Sequence, residues 1–337
     1  MILMMTPRRG TMFFLIVVTM YFNAVEPFHH CRLTSRVIEP FDPRCSRQMC
    51  HRQTSTASID GASVSRDMQS LQEWAISRGV CLEAGVQLKA QGNGDWGLLL
   101  DQTSKAGNKI LKIPSDLVLS SSRSTPSSCL EQDEVDFSIC SLQKFGMEEY
   151  IPEFFLMMEL LSERAKGPMS MWHFWFHSLP KEFSTGLYMD EVERLYVDVF
   201  ASDFLKHQDM QWEAFYSTSR ELCRRTDSLA STFLSSMDDS VLKWAFSVIF
   251  TRSWRTKDIV PCATIVPIGD MFNHNSGFSN VWVDQTSSDS NVDIRLSRDV
   301  EPGADLYLSY GITQYPARFL VIFGFCDESC PAIFANV

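Results

Sequence analysis

The sequence predicts an α+β fold in which short strands at both ends enclose a block built of helices. Three observations carry that prediction. Apolar residues alternate with polar ones between residues 86 and 113, recur at helical spacing from about residue 133 to 251, and alternate again from 265 to 310. The chain has 337 residues, of which 45% are hydrophobic, 21% charged and 12% aromatic. That is a globular composition, sufficient for one large domain or two modest ones, and it fits neither disorder nor a fibrous repeat.

The elements follow in chain order. Met68, Leu71, Trp74 and Ala75 predict an amphipathic helix over 67–78, stopped by Gly79. Val86, Leu88 and Ala90 read as one strand, GNGD at 92–95 as a turn, and Trp96, Leu98 and Leu100 as the return strand. Lys109 to Ile113 make a further strand closed by Pro114, and the Ser-rich run at 120–128 is a surface loop. Ile151, Phe154, Phe155, Met158 and Leu161 then form an apolar stripe, followed by helical patterns at 190–206, 211–236 and 239–251. Period two returns at Ile265 and Pro267, Val281 and Val283, Val292 to Leu296, and Leu306 to Tyr310. This divides the folded part into residues 67–132, a helical insert over 133–240, and residues 241–337.

The first 66 residues have a different character. Residues 1–25 place Arg8 and Arg9 ahead of the apolar run TMFFLIVVTMYFNAV, which is too short to span a bilayer and reads as a signal peptide or a signal anchor. Residues 26–66 carry six Arg, three His and many Ser and Thr against four acids, the composition of a transit-like basic linker. Such a two-part leader resembles those of algae with complex plastids and implies a plastid address. The alternative is the secretory pathway. No second membrane span is expected.

Beyond residue 66, 22 Lys and Arg face 37 Asp and Glu, which argues against direct binding to nucleic acid. The ten cysteines contain no CxxC pair, so no metal is expected. A monomer is the expected state.

Three separated segments hold more polar specificity than a core requires: GNGDWGLLL at 92–100, PIGDMFNHNSG at 267–277 and EPGADLYLSYG at 301–311. With TRSWR at 251–255, SLPKEF at 178–183 and RFLVIFGF at 318–325, their order resembles the SET-domain protein methyltransferases. The branch resembled is that of the Rubisco large-subunit lysine methyltransferase, which has a long helical insert. The resemblance covers about residues 68–328. It implies the SET β-fold of short strands interrupted by that insert, with a knot-like C-terminal crossing and S-adenosyl-L-methionine as cofactor.

By the same resemblance, Tyr310 matches the catalytic tyrosine. Gly94, Asp95, Trp96, Arg252, Asn273 and His274 match cofactor-binding positions, and Thr256, Asp270 and Trp254 match positions toward the substrate. Family members carry an acidic residue where Gly94 stands and glycine where Asp95 stands. Members also continue into a C-terminal helical lobe that holds the protein substrate, and this chain, ending at Val337, is expected to lack most of it.

The implied activity is protein-lysine N-methylation of a non-histone, plastid protein such as Rubisco or aldolase. The aromatic in TRSW favours lysine over histidine, because a related histidine-modifying branch carries polar residues there. The alternatives are a protein-histidine methyltransferase and a non-catalytic SET-like module that binds a protein partner.

Overall fold

Asp67 starts the first helix by accepting a hydrogen bond from the Ser70 amide at 3.0 Å, and this cap lies within one residue of the expected boundary. The structure is a computed structural model that describes residues 66–327, except 93–94, 122–128, 198, 226–227, 257–261, 285–290 and 312–315. The expectations on the leader, on Gly94 and on the final ten residues lie outside the described residues. Helix α1 (Met68–Ser77) buries Met68, Leu71, Trp74 and Ala75, and Gly79 leaves it with φ +89°.

Strands β1 (Cys81–Leu82), β2 (Val86–Gly92), β3 (Asp95–Leu100), β4 (Lys109–Ile113) and β5 (Leu119–Ser120) precede the helices. The expected hairpin is in register, with Val86 opposite Leu100, Leu88 opposite Leu98 and Ala90 opposite Trp96.

The helical block comprises α2 (Gln132–Lys144), α3 (Ile151–Ala165), α4 (His173–Ser178), α5 (Glu191–Leu195), α6 (Val199–Arg224), α7 (Leu229–Leu234) and α8 (Asp239–Arg252). Three boundaries differ from the sequence reading, the first being that the pattern expected over 190–206 is broken between α5 and α6. The expected break between 206 and 211 is absent because HQDM contains no helix breaker and the Gln208 side-chain amide finds an acceptor inside the fold. Gln208 Nε2 donates to the Val321 carbonyl at 3.1 Å, and Gln211 Nε2 meets His207 Nε2 at 3.2 Å. The pattern read over 211–236 is instead two helices, since Ser228 caps α7 anew.

Edge-to-face aromatics hold this block together, with Phe215 at 5.3 Å from Phe154 and 5.4 Å from Phe246. Both Phe154 and Phe215 are fully buried. Phe215→Ala is therefore expected to lower stability by about 3–5 kcal/mol in urea unfolding, and a loss below about 1 kcal/mol would contradict this packing.

After α8 come β6 (Trp254–Thr256), β7 (Cys262–Ile265), β8 (Asn273–His274), β9 (Val281–Asp284), β10 (Val292–Leu296), β11 (Asp305–Leu308) and helix α9 (Pro316–Phe323). The strands form three small sheets, ordered β1-β4-β10-β9, β2-β3-β11-β8 and β5-β7-β6. Each sheet that contains a strand from before the helical block also contains one from after it, so the block is an insertion within one strand framework.

Helix α9 packs Val321 against Ala201 and Leu205 of α6. It ends at Gly324, where a Cβ would lie 2.7 Å from the Ser184 carbonyl carbon. Glycine is required there by both the close approach and a φ of +79°.

Candidate active site

Strand β8 runs parallel to β11, with Asn273 opposite Tyr307 and His274 opposite Leu308. On its other edge β11 is antiparallel to β3, pairing Asp305 with Leu99 and Leu306 with Leu98. The three polar segments of the sequence thus meet in a single sheet. The chain beyond β11 folds back over β8, bringing Phe319, Phe325 and Asp327 onto His274, the juxtaposition that the expected crossing requires.

Asn273 ties β8 to the β2–β3 hairpin. Its amide donates to Gln91 Oε1 at 3.0 Å and to the Trp96 carbonyl at 3.2 Å. Gly97 makes this possible, because a Cβ there would stand 2.7 Å from the Asn273 amide nitrogen and collide with the Gln91 amide.

Tyr310 lies two residues past β11. Its hydroxyl donates to the Phe272 carbonyl at 2.7 Å, its main-chain N–H donates to His274 Nδ1 at 2.9 Å, and its ring packs 4.8 Å from the imidazole. Burial pushes the phenol up to about 12, with Arg252 opposing the shift and Asp270 adding to it. The hydroxyl is therefore a neutral donor across the physiological range. Burial likewise lowers the His274 pKa, against the pull of Asp327.

Beside the tyrosine sits a buried polar cluster. Arg252, at the end of α8, donates through Nη1 to the main-chain oxygen and to Oδ2 of Asp270, both at 3.0 Å. Trp175 Nε1 donates to the same Oδ2 at 3.1 Å. Arg66 joins from the start of the described chain, donating to the Ser178 carbonyl and approaching Met271 Sδ at 3.7 Å. Burial and then the charge of Arg252 lower the Arg66 pKa to about 10, while Asp270 and Asp95 oppose that shift. The Asp270 pKa is raised by burial, which Arg252 and Trp175 counter.

Two atoms of this cluster, Asp270 Oδ1 and Arg252 Nε, are buried with no hydrogen-bond partner among the described residues. Orphans of this kind are rare, and two on one ion pair mark a place shaped to receive a polar group.

The backbone that delivers Asp270 is strained. Ile268 has φ +72° and ψ −47°, close to the classic γ-turn and costly for a β-branched residue. Strain of this kind gathers at functional sites. It turns the chain into the short helical turn Gly269–Met271, which Asp270 N–H pins to the Val266 carbonyl at 2.8 Å.

The sequence-derived residues fall as follows. Trp96, Asn273, His274, Tyr310, Arg252 and Asp270 belong to this assembly. Asp95 is exposed at the start of β3, and its charge is felt by Arg66. Asp270, expected toward the substrate, has its carboxylate sealed from solvent.

Trp254 is 9% exposed, and a Cβ on Gly269 would lie 2.9 Å from its ring, so the indole occupies the space that Gly269 leaves. Thr256 pairs through its backbone with Cys262, and its side chain lies outside the described residues.

Sequence reasoning missed Gln91, Trp175, Arg66 and Asp327. Arg66 was assigned to the linker on composition, and the other three stand outside the recognised motifs. Among the described residues, no group of three or more His, Cys, Asp or Glu is placed to hold a metal ion, and no helix is long and apolar enough to cross a membrane.

Comparison with solved structures gives a TM-score of 0.61 with the SET domain of LSMT bound to lysine and AdoHcy, at 20% identity, covering 78% of this chain and 58% of that one. The chain has the SET fold. Rubisco LSMT bound to AdoMet matches with a TM-score of 0.58 at 19% identity, covering 77% of this chain and 56% of that one.

Among curated proteins, the actin-histidine N-methyltransferase of Gallus gallus is 28% identical over 269 residues, covering 76% of this chain and 42% of that protein. Those of Otolemur garnettii and Homo sapiens are 27% and 26% identical over 268 residues, each with 76% of this chain and 41% of the relative covered. The SET-fold chain therefore spans about two fifths of the length of these relatives. No family model matches it.

Proposed function

We propose that this SET-fold chain is an S-adenosyl-L-methionine-dependent protein N-methyltransferase whose target is a lysine of a non-histone protein. The observation that carries the reading is the pairing of β8 with β11, which sets Asn273, His274 and Tyr310 beside the orphaned Arg252–Asp270 pair. The residues fit the cofactor. Arg252 Nε offers an unused charged donor for a carboxylate, and Gly97 lets the Asn273 amide hold the β2–β3 hairpin beside it.

When bound, the cofactor supplies an electrophilic methyl. The protein's task is then alignment of a neutral amine and exclusion of water. Tyr310, neutral and fixed by Phe272, presents a hydroxyl of constant orientation and an aromatic wall. A free lysine has a pKa of about 10.4, so its proton must leave before attack, which the apolar packing around Tyr310 favours.

Trp254, packed against Gly269 and matched by resemblance to a position toward the substrate, supports lysine, since an imidazole there would need a polar partner. The histidine alternative draws support from the actin-histidine relatives, whose identity exceeds that of the LSMT structures. Labelled methyl transfer into plastid extracts, with mass-spectrometric mapping, decides among the readings. Modified lysine supports the proposal, modified histidine replaces it, and cofactor binding without transfer supports the binding module.

The leader composition supports plastid delivery, to be tested by fusing residues 1–66 to a fluorescent protein. The acidic surface supports a protein rather than a nucleic-acid partner.

Gly97→Ala should weaken S-adenosylmethionine binding about tenfold in calorimetry, since the Asn273 amide must leave its two acceptors, a loss of about 1–2 kcal/mol. Unchanged affinity would remove that hairpin from the cofactor site.

A further inference from the structure

We infer that Asp327 is a positioning residue for Tyr310, acting through His274. The inference rests on the methyltransferase reading for its kinetic consequence, and on geometry alone for the linkage.

The His274 ring is sealed from solvent and meets partners that pull it in opposite directions. On the Nδ1 side, the Tyr310 main-chain N–H approaches at 2.9 Å and can only donate, so it requires a bare nitrogen. The Leu308 carbonyl, 3.2 Å from the same nitrogen, can only accept and would reward a proton there. On the Nε2 side, the Ser276 hydroxyl at 3.1 Å can donate or accept and is indifferent. Asp327 Oδ2 lies 2.8 Å from Nε2 and, as a carboxylate, accepts only.

Asp327 therefore decides the tautomer. It draws the ring proton to Nε2 and leaves Nδ1 free to hold Tyr310. Without it, Ser276 donating to Nε2 and Leu308 accepting from Nδ1 would stabilise the opposite tautomer. That form sets two N–H groups against each other and expels the Tyr310 backbone.

The consequence reaches the phenol. Phe319 stacks on the imidazole at 4.5 Å and 25°, and Tyr310 covers it at 4.8 Å. A ring that turns or changes tautomer moves the tyrosine ring with it. The hydroxyl then leaves the Phe272 carbonyl, and a misplacement near 1 Å is enough to cost about 10²-fold in rate.

The test uses the full chain labelled with ¹⁵N-histidine, with His274 assigned by comparison with His274→Asn, and the variants Asp327→Ala and Asp327→Asn. Long-range proton–nitrogen spectra are expected to show pure Nε2–H in the parent. Asp327→Asn keeps an oxygen acceptor and should retain that tautomer, with kcat falling only about threefold. Asp327→Ala should show a mixed or reversed tautomer, kcat lower by about 10²-fold, and cofactor affinity within about threefold of the parent.

A pure Nε2–H signal in Asp327→Ala overturns the linkage. So does equal loss of kcat and thermal stability in both variants, which would make Asp327 merely structural. If the parent transfers no methyl group to any substrate, the methyltransferase reading fails. The linkage is then judged on the tautomer alone, which needs no turnover.

Discussion

Tyr310→Phe is expected to slow methyl transfer by about 10²-fold while leaving S-adenosylmethionine affinity within about twofold, because it removes one preorganised donor and keeps the ring. The hydroxyl is the atom that fixes the ring in its pocket, through a 2.7 Å bond to the Phe272 carbonyl directly before Asn273. Phenylalanine leaves that carbonyl without its donor, at about 1–3 kcal/mol, and frees the ring to rock against His274. Single-turnover rates and calorimetry measure the two quantities separately. Unchanged turnover would strip Tyr310 of its role. Since the phenol pKa stands near 12, the rate should also show no limb from this group between about pH 6 and 9.

Arg252→Met is expected to destabilise the protein by about 3–5 kcal/mol, because it leaves the Asp270 carboxylate buried with Trp175 as its remaining donor among the bonds described. Asp270 already has a folded-state pKa above its ordinary value through burial, and loss of the arginine charge raises it further. A group whose folded pKa is raised loses stability as pH rises from the unfolded value toward the folded one. The deficit of Arg252→Met should therefore be largest at neutral pH and shrink as pH falls. Combining it with Asp270→Asn should restore part of the stability at neutral pH, by removing the charge that was stranded. Urea unfolding at several pH values measures all three effects. A deficit independent of pH would show that Asp270 is not the source of the cost.

The sequence made the strand framework legible where the pattern was long. Val86 to Leu100 alternate cleanly, and the hairpin they form is in the expected register. Helix boundaries were less legible, since burial of Gln208 and Gln211 looks like a polar break until their partners are known. Strand β6 is three residues long, too short for alternation to announce it.

At the site, Asn273, His274 and Tyr310 came from motif context, and their meeting could not come from period or composition. Asp327 illustrates why. It lies 53 positions from the histidine it holds, in an unremarkable acidic stretch, and its role exists only once the chain has folded back. Arg66 misled for the opposite reason, because local composition grouped it with a basic linker while its side chain reaches Ser178.

The sheet that unites the β2–β3 hairpin, β11 and β8 carries a consequence for biosynthesis. Its central strand begins at Asp305, so a nascent chain paused short of that residue has the insert and the hairpin but nothing to join Asn273 to them through β11. Pairing at such sequence separation is slow and comes late. The helical block can mature on the ribosome while the pocket waits for residues 305–327 to emerge, and chaperone dependence should track their release from the tunnel.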